Sequence, residues 1–211
     1  MARSVARCAL KRAIPGVALA LALLFTFAAA ASVARADDLD GEPRFKSVGV
    51  QGNPLAFIIG RYSLDLEYLP APHHALHATP YYEYALPGTD DQLTGFGAEV
   101  GYRFYTGEHG PHGFFAGASA LVAELEYIHG NPANVPKDPA NDTQYVQLGG
   151  AIDVGYQIII LGNLCAGIGA GLQYTVDTID PVFEYSSHPW HDLVYGWGLR
   201  PRALLQVGAA F

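Results

Sequence analysis

YVQLGGAIDVGYQIII, residues 145–160, decides the fold. Val146, Leu148, Ile152, Val154, Tyr156, Ile158 and Ile160 fall on one parity, and Gln147, Gly149, Ala151, Asp153, Gly155 and Gln157 fall on the other. A period of two belongs to an extended strand, whose successive side chains point to opposite faces, whereas a helix repeats every ~3.6 residues. One face of this strand therefore meets an apolar surrounding and the other a polar one.

The neighbouring segments keep the same rule. Downstream, Leu164, Ala166, Ile168, Ala170, Leu172, Tyr174 and Val176 alternate with Cys165, Gly167, Gly169, Gly171, Gln173, Thr175 and Asp177. Upstream, Phe96, Ala98, Val100, Tyr102 and Phe104 alternate with Gly97, Glu99, Gly101, Arg103 and Tyr105, and Tyr62, Leu64, Leu66 and Tyr68 with Ser63, Asp65 and Glu67. At the end of the chain Tyr195, Trp197, Leu199, Ala203, Leu205, Val207, Ala209 and Phe211 oppose Gly196, Gly198, Arg200, Arg202, Gln206 and Gly208. Eight such segments are predicted, at residues 49–60, 61–69, 75–85, 94–105, 113–127, 145–160, 164–177 and 193–211. The connections after the third, fifth and seventh are long and polar (86–93, 128–144, 178–192), and those after the second, fourth and sixth are shorter (70–74, 106–112, 161–163). The pattern predicts an all-β fold, an eight-stranded antiparallel up-and-down transmembrane β-barrel, with short turns and both chain ends on the periplasmic side.

The first forty residues read as an address. Arg3, Arg7, Lys11 and Arg12 precede an apolar run from Val17 to Ala31, and Ala34-Arg35-Ala36 offers a small-x-small cleavage site. The expected organisation is a signal peptide at 1–36, a periplasmic N-terminal segment at 37–48 and an outer-membrane barrel at 49–211. The signal segment carries five of the 12 Lys and Arg residues and none of the 20 acids, so the remainder is strongly acidic. Such a balance argues against nucleic acid as a partner. With 50% hydrophobic and only 15% charged residues the chain is too apolar for disorder. Cys8 leaves with the signal, so Cys165 has no partner for an intramolecular disulfide.

Three features set the apolar face outward rather than into a lipocalin-like core. Tyr62, Tyr68, Tyr82, Tyr84, Phe96, Phe104, Phe115, Tyr127, Tyr174, Tyr195 and Trp197 nearly all take the apolar parity near strand ends, as interfacial aromatic girdles do. The other face mixes Gly and Ala with charged and amide residues, which suits a narrow lumen. The chain ends in Phe211 with Leu205, Val207 and Ala209 on its parity. Turning Glu99, Arg103 and Asp153 toward lipid would cost about 2 to 4 kcal/mol for an Arg near the midplane and somewhat less for the acids, which fixes the register.

These alternating segments and the terminal Phe211 resemble the bacterial eight-stranded outer-membrane proteins of the OmpA, OmpX and OmpW kind. More narrowly, Asn53-Pro54-Leu55 leading to Gly60, Gly101-Tyr102-Arg103-Phe104-Tyr105, Gly155-Tyr156-Gln157 and Gly208-Ala209-Ala210-Phe211 look like a family of small uncharacterised secreted barrels. The resemblance implies an architecture, outer-membrane lipid as surroundings, and a barrel-assembly machinery engaging the C-terminal strand. It brings no catalytic or binding residues. Pro201 departs from the usual last strand by removing a ladder donor, which predicts a bulge or a strand end there.

On this parity the inward ionisable residues are Asp65, Glu67, His77, Glu83, Glu99, Arg103, Glu124, Glu126, Asp153, Arg200 and Arg202. An eight-stranded interior is just wide enough for side chains to fill, so Glu67, Glu83, Glu99, Arg103, Glu124, Glu126, Asp153, Arg200 and Arg202 are candidates for a plug of ion pairs. Strand direction predicts Arg200 and Arg202 near Glu83, Glu124 and Glu126, and Arg103 near Glu67. The expected role is structural, or a narrow conduit preferring cations because acids are in excess. The alternative is an adhesin-like surface binder using loops 128–144 and 178–192. A lipid-modifying enzyme ranks third. Ser63 and Ser119 face inward with His77, yet no His-x-Ser motif appears, so no catalytic residue and no cofactor is assigned. His188 and His191, beside Trp190 and Asp192, lack a third ligand at recognisable spacing, so no metal is assigned either. His73, His74, His109 and His112 read as solvated turn residues.

Overall fold

The computed structural model describes residues 45–85, 92–128, 142–178 and 198–211. The expected signal peptide, most of the segment at 37–48, and His188 and His191 lie outside the described residues, as do the greater part of loops 86–93, 128–144 and 178–192.

Eight antiparallel strands close into a barrel in the order of the sequence. They are β1 (Val48–Gly52), β2 (Arg61–Ala71), β3 (His74–Ala85), β4 (Gln92–Tyr105), β5 (Gly113–Ile128), β6 (Asp142–Ile160), β7 (Leu164–Asp177) and β8 (Gly198–Ala210). A five-residue helix, α1 (Pro54–Ile58), stands between β1 and β2. The ring is sealed where β8 meets β1, with Gly49 opposite Ala210 and Gly52 opposite Val207. Phe211 extends that seam through two backbone bonds with Val48, one in each direction.

The alternation works out as an inside-out protein. Phe96, Ile152, Ile168 and Leu199 point outward and are 60–70% exposed, while Gln51, Glu67, Arg103 and Gln157 point inward and are at most 3% exposed. Water-soluble domains distribute these residue types the other way round. Glycines on the inner face make room for large side chains reaching across from the adjacent strand. Tyr81 lies over Gly97, His77 over Gly101 and Asp153 over Gly171, so that a Cβ at any of the three would collide. The inner residues are small where the side chain reaching over them is large.

Two apolar clusters cap the charged interior. Leu69, Ala75, Tyr105, Phe115 and Leu204 form one, and Tyr81, Leu93, Ala123, Leu125 and Tyr145, with Tyr127 against them, form the other. The first lies toward the short turns. There Lys46 also crosses the barrel end, donating its backbone N–H to the His109 carbonyl at 3.2 Å and its Nζ to Asn163 Oδ1 at 2.6 Å.

Three expectations need correction. First, Phe115 faces inward: β5 places Phe114 outside and Phe115 over Gly155, where a Cβ would sit 2.5 Å from the ring. Second, the same parity carries through the strand without a slip, so Leu121, Ala123 and Leu125 are buried, while Glu124 is exposed on the outer face opposite Phe96 and Glu126 lies half-buried on that same face. The apolar-out rule fails at this end of β5 because its inward partners are the apolar Tyr81, Leu93 and Tyr145 rather than ions.

Third, the strand expected over 49–60 stops at Gly52. Asn53 accepts hydrogen bonds through Oδ1 from the N–H groups of Leu55 (3.1 Å) and Ala56 (3.3 Å), and Pro54 follows it at the first helical position. That is an N-cap with proline where the missing donor costs nothing, so the run Pro54–Ile58 coils. Gly60, at φ +83°, then reverses the chain into β2.

Gly155→Val should lower stability by about 1–3 kcal/mol through overpacking against Phe115, and Phe115→Ala should cost about 3–5 kcal/mol. In the double variant the costs should fall short of additive, because the valine fills space the ring has left. Urea unfolding of the four proteins checks this.

Candidate functional site

Strand pairing brings the inward ions together from distant parts of the chain. Arg103, on β4, donates through Nη1 to Asp65 Oδ2 (2.6 Å) and to Glu67 Oε1 (2.5 Å) on β2. Glu67 also accepts from Tyr105 Oη at 2.8 Å and Gln51 Nε2 at 2.9 Å. Asp65 accepts from Gln206 Nε2 (3.0 Å) and Thr79 Oγ1 (2.8 Å), with His77 Nδ1 at 3.4 Å. The expected pair of Arg103 with Glu67 is present, and Asp65 makes it a triad.

A second cluster joins β8 to the opposite wall. Arg202 Nη1 donates to both oxygens of Glu99 (3.1 and 3.2 Å), and its Nε lies 3.3 Å from Asp153 Oδ1. Ser119 Oγ donates to Glu99 Oε1 at 2.6 Å. The expected partners of Arg202 were Glu83, Glu124 and Glu126, and it meets none of them in this cluster. Glu83 is taken by Arg61, whose Nε donates to Glu83 Oε1 at 2.6 Å, with the guanidinium also 4.4 Å from the Tyr81 ring centre. Arg200 Nη2 donates to Thr175 Oγ1 at 3.1 Å, and its guanidinium also interacts with Glu83, as expected, and with Asp177. Because the strands of a closed barrel are tilted and staggered, ions at equal distance along two strands do not stand at equal height, and that stagger redirects the partners.

Arg61 is a lumen ion that sequence reasoning missed. It stands at a segment boundary, yet it shares odd parity with Ser63, Asp65 and Glu67, which was the available signal. Ser63 and His77 do not form a nucleophile and base. The register sets Ser63 opposite Tyr81 and His77 opposite Glu67, so four residues, or about 13 Å of strand, separate them.

The upper wall beside α1 is built differently from the rest. β1 pairs with only Leu64–Tyr68 of β2 and Val207–Ala210 of β8, so a helix rather than a strand separates Arg61–Ser63 from the start of β8. The register of β7 with β8 runs without a bulge from Leu164↔Ala209 to Thr175↔Gly198. Ala210 donates its N–H to Asn163 O on the β7 side. In an antiparallel ladder donors alternate sides, so even-numbered residues of β8 face β7 and odd-numbered ones face α1. The nitrogen of Pro201 thus points to the side that has no strand, and no ladder bond is lost. Pro201 marks neither the expected bulge nor a strand end, since β8 runs through it, but a free edge. Asn53 covers part of that edge, donating to Ala203 O (3.4 Å) and accepting from Leu205 N–H (3.5 Å).

Behind the edge is a cavity of about 410 Å³, bounded by α1, β8 and the ion clusters. Chemically, the arrangement pairs charge across a narrow interior and leaves an open space beside α1.

Comparison of the chain with protein-family models, with curated proteins and with solved structures finds no match.

Arg103→Met strands two buried carboxylates and should cost about 3–5 kcal/mol, whereas the triple change Arg103→Met, Asp65→Asn, Glu67→Gln should recover most of the loss. Glu124→Gln, on the outer face, should stay within about 0.5 kcal/mol of wild type. Denaturant midpoints of the three variants read both effects.

Proposed function

We propose that the protein is an integral outer-membrane β-barrel whose lumen is an ion-paired structural core rather than an open conduit. The observation that carries this is the inverted surface. Val100, Val122, Ile152, Val154, Ile168 and Leu199 lie exposed on five different strands, and no charged residue interrupts their faces until Glu124 near the strand end. A continuous apolar surface of this extent in water would drive association, and in lipid it is the stable arrangement. Spanning backbone groups must also be paired where water is absent, a condition that the inter-strand ladders meet away from the edge of β8 beside α1.

The aromatic residues support the same medium. Toward the long loops, Phe57, Tyr62, Tyr82 and Phe96 form a chain of rings with successive centroids 5.7, 6.5 and 4.7 Å apart. Toward the short turns, Phe114 meets Tyr156 at 4.8 Å, and His74 lies between Tyr102 and Phe104. Two such bands match the girdles at the two interfaces of a bilayer. The terminal strand, with Phe211 locked to Val48, is the element a barrel-assembly machinery would engage. A sealed rather than conducting lumen is favoured by the layer of Leu69, Ala75, Tyr105, Phe115 and Leu204, which fills the turn end with apolar side chains beneath the Arg103 triad.

The protein should float with phosphatidylcholine vesicles in a density gradient and resist extraction at alkaline pH. In planar bilayers it should give no stable unitary current, while Tyr105→Ala combined with Arg103→Ala should introduce one. Recovery in the soluble fraction overturns the membrane assignment. Steady cation-selective steps from the unaltered protein overturn the sealed lumen.

A further inference from the structure

We infer that the wall opening beside α1 admits a single-chain carboxylate amphiphile, its head held between Arg61 of β2 and Arg202 of β8 and its alkyl tail lying in the mouth. The inference rests on the membrane reading above, because the mouth faces whatever surrounds the barrel.

The inner end is cationic where an occupant can touch it. Arg61, Arg103, Arg200 and Arg202 line the cavity against Asp65, Glu83 and Glu99, a surplus of one positive charge that suits a monoanion. Burial sharpens the imbalance. The Arg61 and Arg202 side chains are 20% and 16% exposed, whereas their partners Glu83, Glu99 and Asp153 are at most 7% exposed. The space therefore meets guanidinium edges more than the carboxylates that balance them. Arg200 also stands close enough to Arg61 for the two cations to repel, a repulsion that an anion beside them relieves.

Each of the two accessible arginines keeps a donor in reserve. Arg61 directs Nε and Nη2 to Glu83, and Arg202 directs Nη1 to Glu99 and Nε to Asp153. Arg61 Nη1 and Arg202 Nη2 thus have no partner among the described residues, and neither is sealed from solvent. A carboxylate has two oxygens, each able to accept a charge-assisted bond from one guanidinium. Because α1 rather than a strand stands between Arg61–Ser63 of β2 and the start of β8, such a head joins two walls that no backbone ladder joins there.

The mouth suits an alkyl chain. Leu55 and Ile58 of α1 and Pro201 and Ala203 of β8 are exposed on the outside and also line the cavity. Unpaired backbone groups are ordinarily excluded from hydrocarbon, but Pro201 has no N–H to satisfy, and Asn53 engages Ala203 O and Leu205 N–H. A tail can therefore lie against this edge. A volume of about 410 Å³ holds a carboxylate and part of a tail, within the usual size of ligand sites.

The test titrates the protein in phosphatidylcholine nanodiscs, at alkaline pH, with carboxyl-labelled dodecanoate, against empty nanodiscs as the blank. A carboxyl resonance absent from the blank and saturating at one equivalent is expected. Monolauroylglycerol, which has the same tail and no charge, should displace it at least about tenfold less effectively than unlabelled dodecanoate. Arg61→Lys and Arg202→Lys, which keep the charge but lose the planar fork, should each weaken binding several-fold. Ile58→Trp and Ala203→Trp, which fill the mouth from opposite sides and leave every ion pair in place, should weaken it by about tenfold or more. Val122→Trp, on the outer face of β5, should leave it unchanged. No resonance beyond the blank, or mouth variants equal to wild type, overturns the site. Lysine variants equal to wild type, or equal displacement by monolauroylglycerol, overturns the carboxylate head. Failure to enter the nanodisc defeats the membrane reading itself, whereas entry without binding defeats this inference alone.

Discussion

Eight strands closed into one ring leave an interior about two side chains across, so any charge on the inner face must be answered from the facing wall. Everything else in the molecule follows from that width. Arg103 reaches both Asp65 and Glu67, and Arg202 reaches both Glu99 and Asp153, because the facing and neighbouring strands hold the opposite charges within side-chain reach. The inner glycines are the other half of the same constraint. Where a long side chain crosses the lumen, the wall beside it has to be thin, as at Gly171 under Asp153 and Gly117 under Arg103. The two apolar clusters then occupy the ends, where ions would otherwise meet solvent unevenly.

Much of this was legible in the chain. The alternation over residues 96–105, 146–157 and 164–177 assigns inside and outside, because there the two faces of β4, β6 and β7 differ in chemistry. β5 was misread because its two faces do not differ in that way. Phe114 and Phe115 are adjacent, and in Ala-Glu-Leu-Glu-Tyr the apolar residues hold the inner parity. What decides its orientation is the cavity over Gly155 and the company of Tyr81 and Tyr145, which belong to other strands. Ion partners were less legible than ion positions. All but Glu124 and Glu126 among the candidates do line the lumen, but stagger between strands sets who meets whom, and no single strand encodes it.

The helix is the instructive case. Asn53-Pro54 is a legible cap, yet the run that follows is apolar enough to pass for a strand, and its neighbours on both sides are strands. Pro201 supplied the complementary signal more than a hundred residues later. A proline in a last strand looks like a defect until the strand beside it is seen to be missing. The two irregularities are one feature of the wall, and either alone invites the wrong explanation.

β1 is also the shortest strand in the ring, and its four registered pairs with β8 join residues about as far apart in the chain as the barrel allows. Consecutive strands close far shorter loops, whereas this seam closes a loop spanning the whole barrel through few pairs, so it carries the largest loop-closure cost in the ring. Asn53 and Phe211 stand along this seam as separate latches, which makes the barrel a clasped band rather than a uniform cylinder.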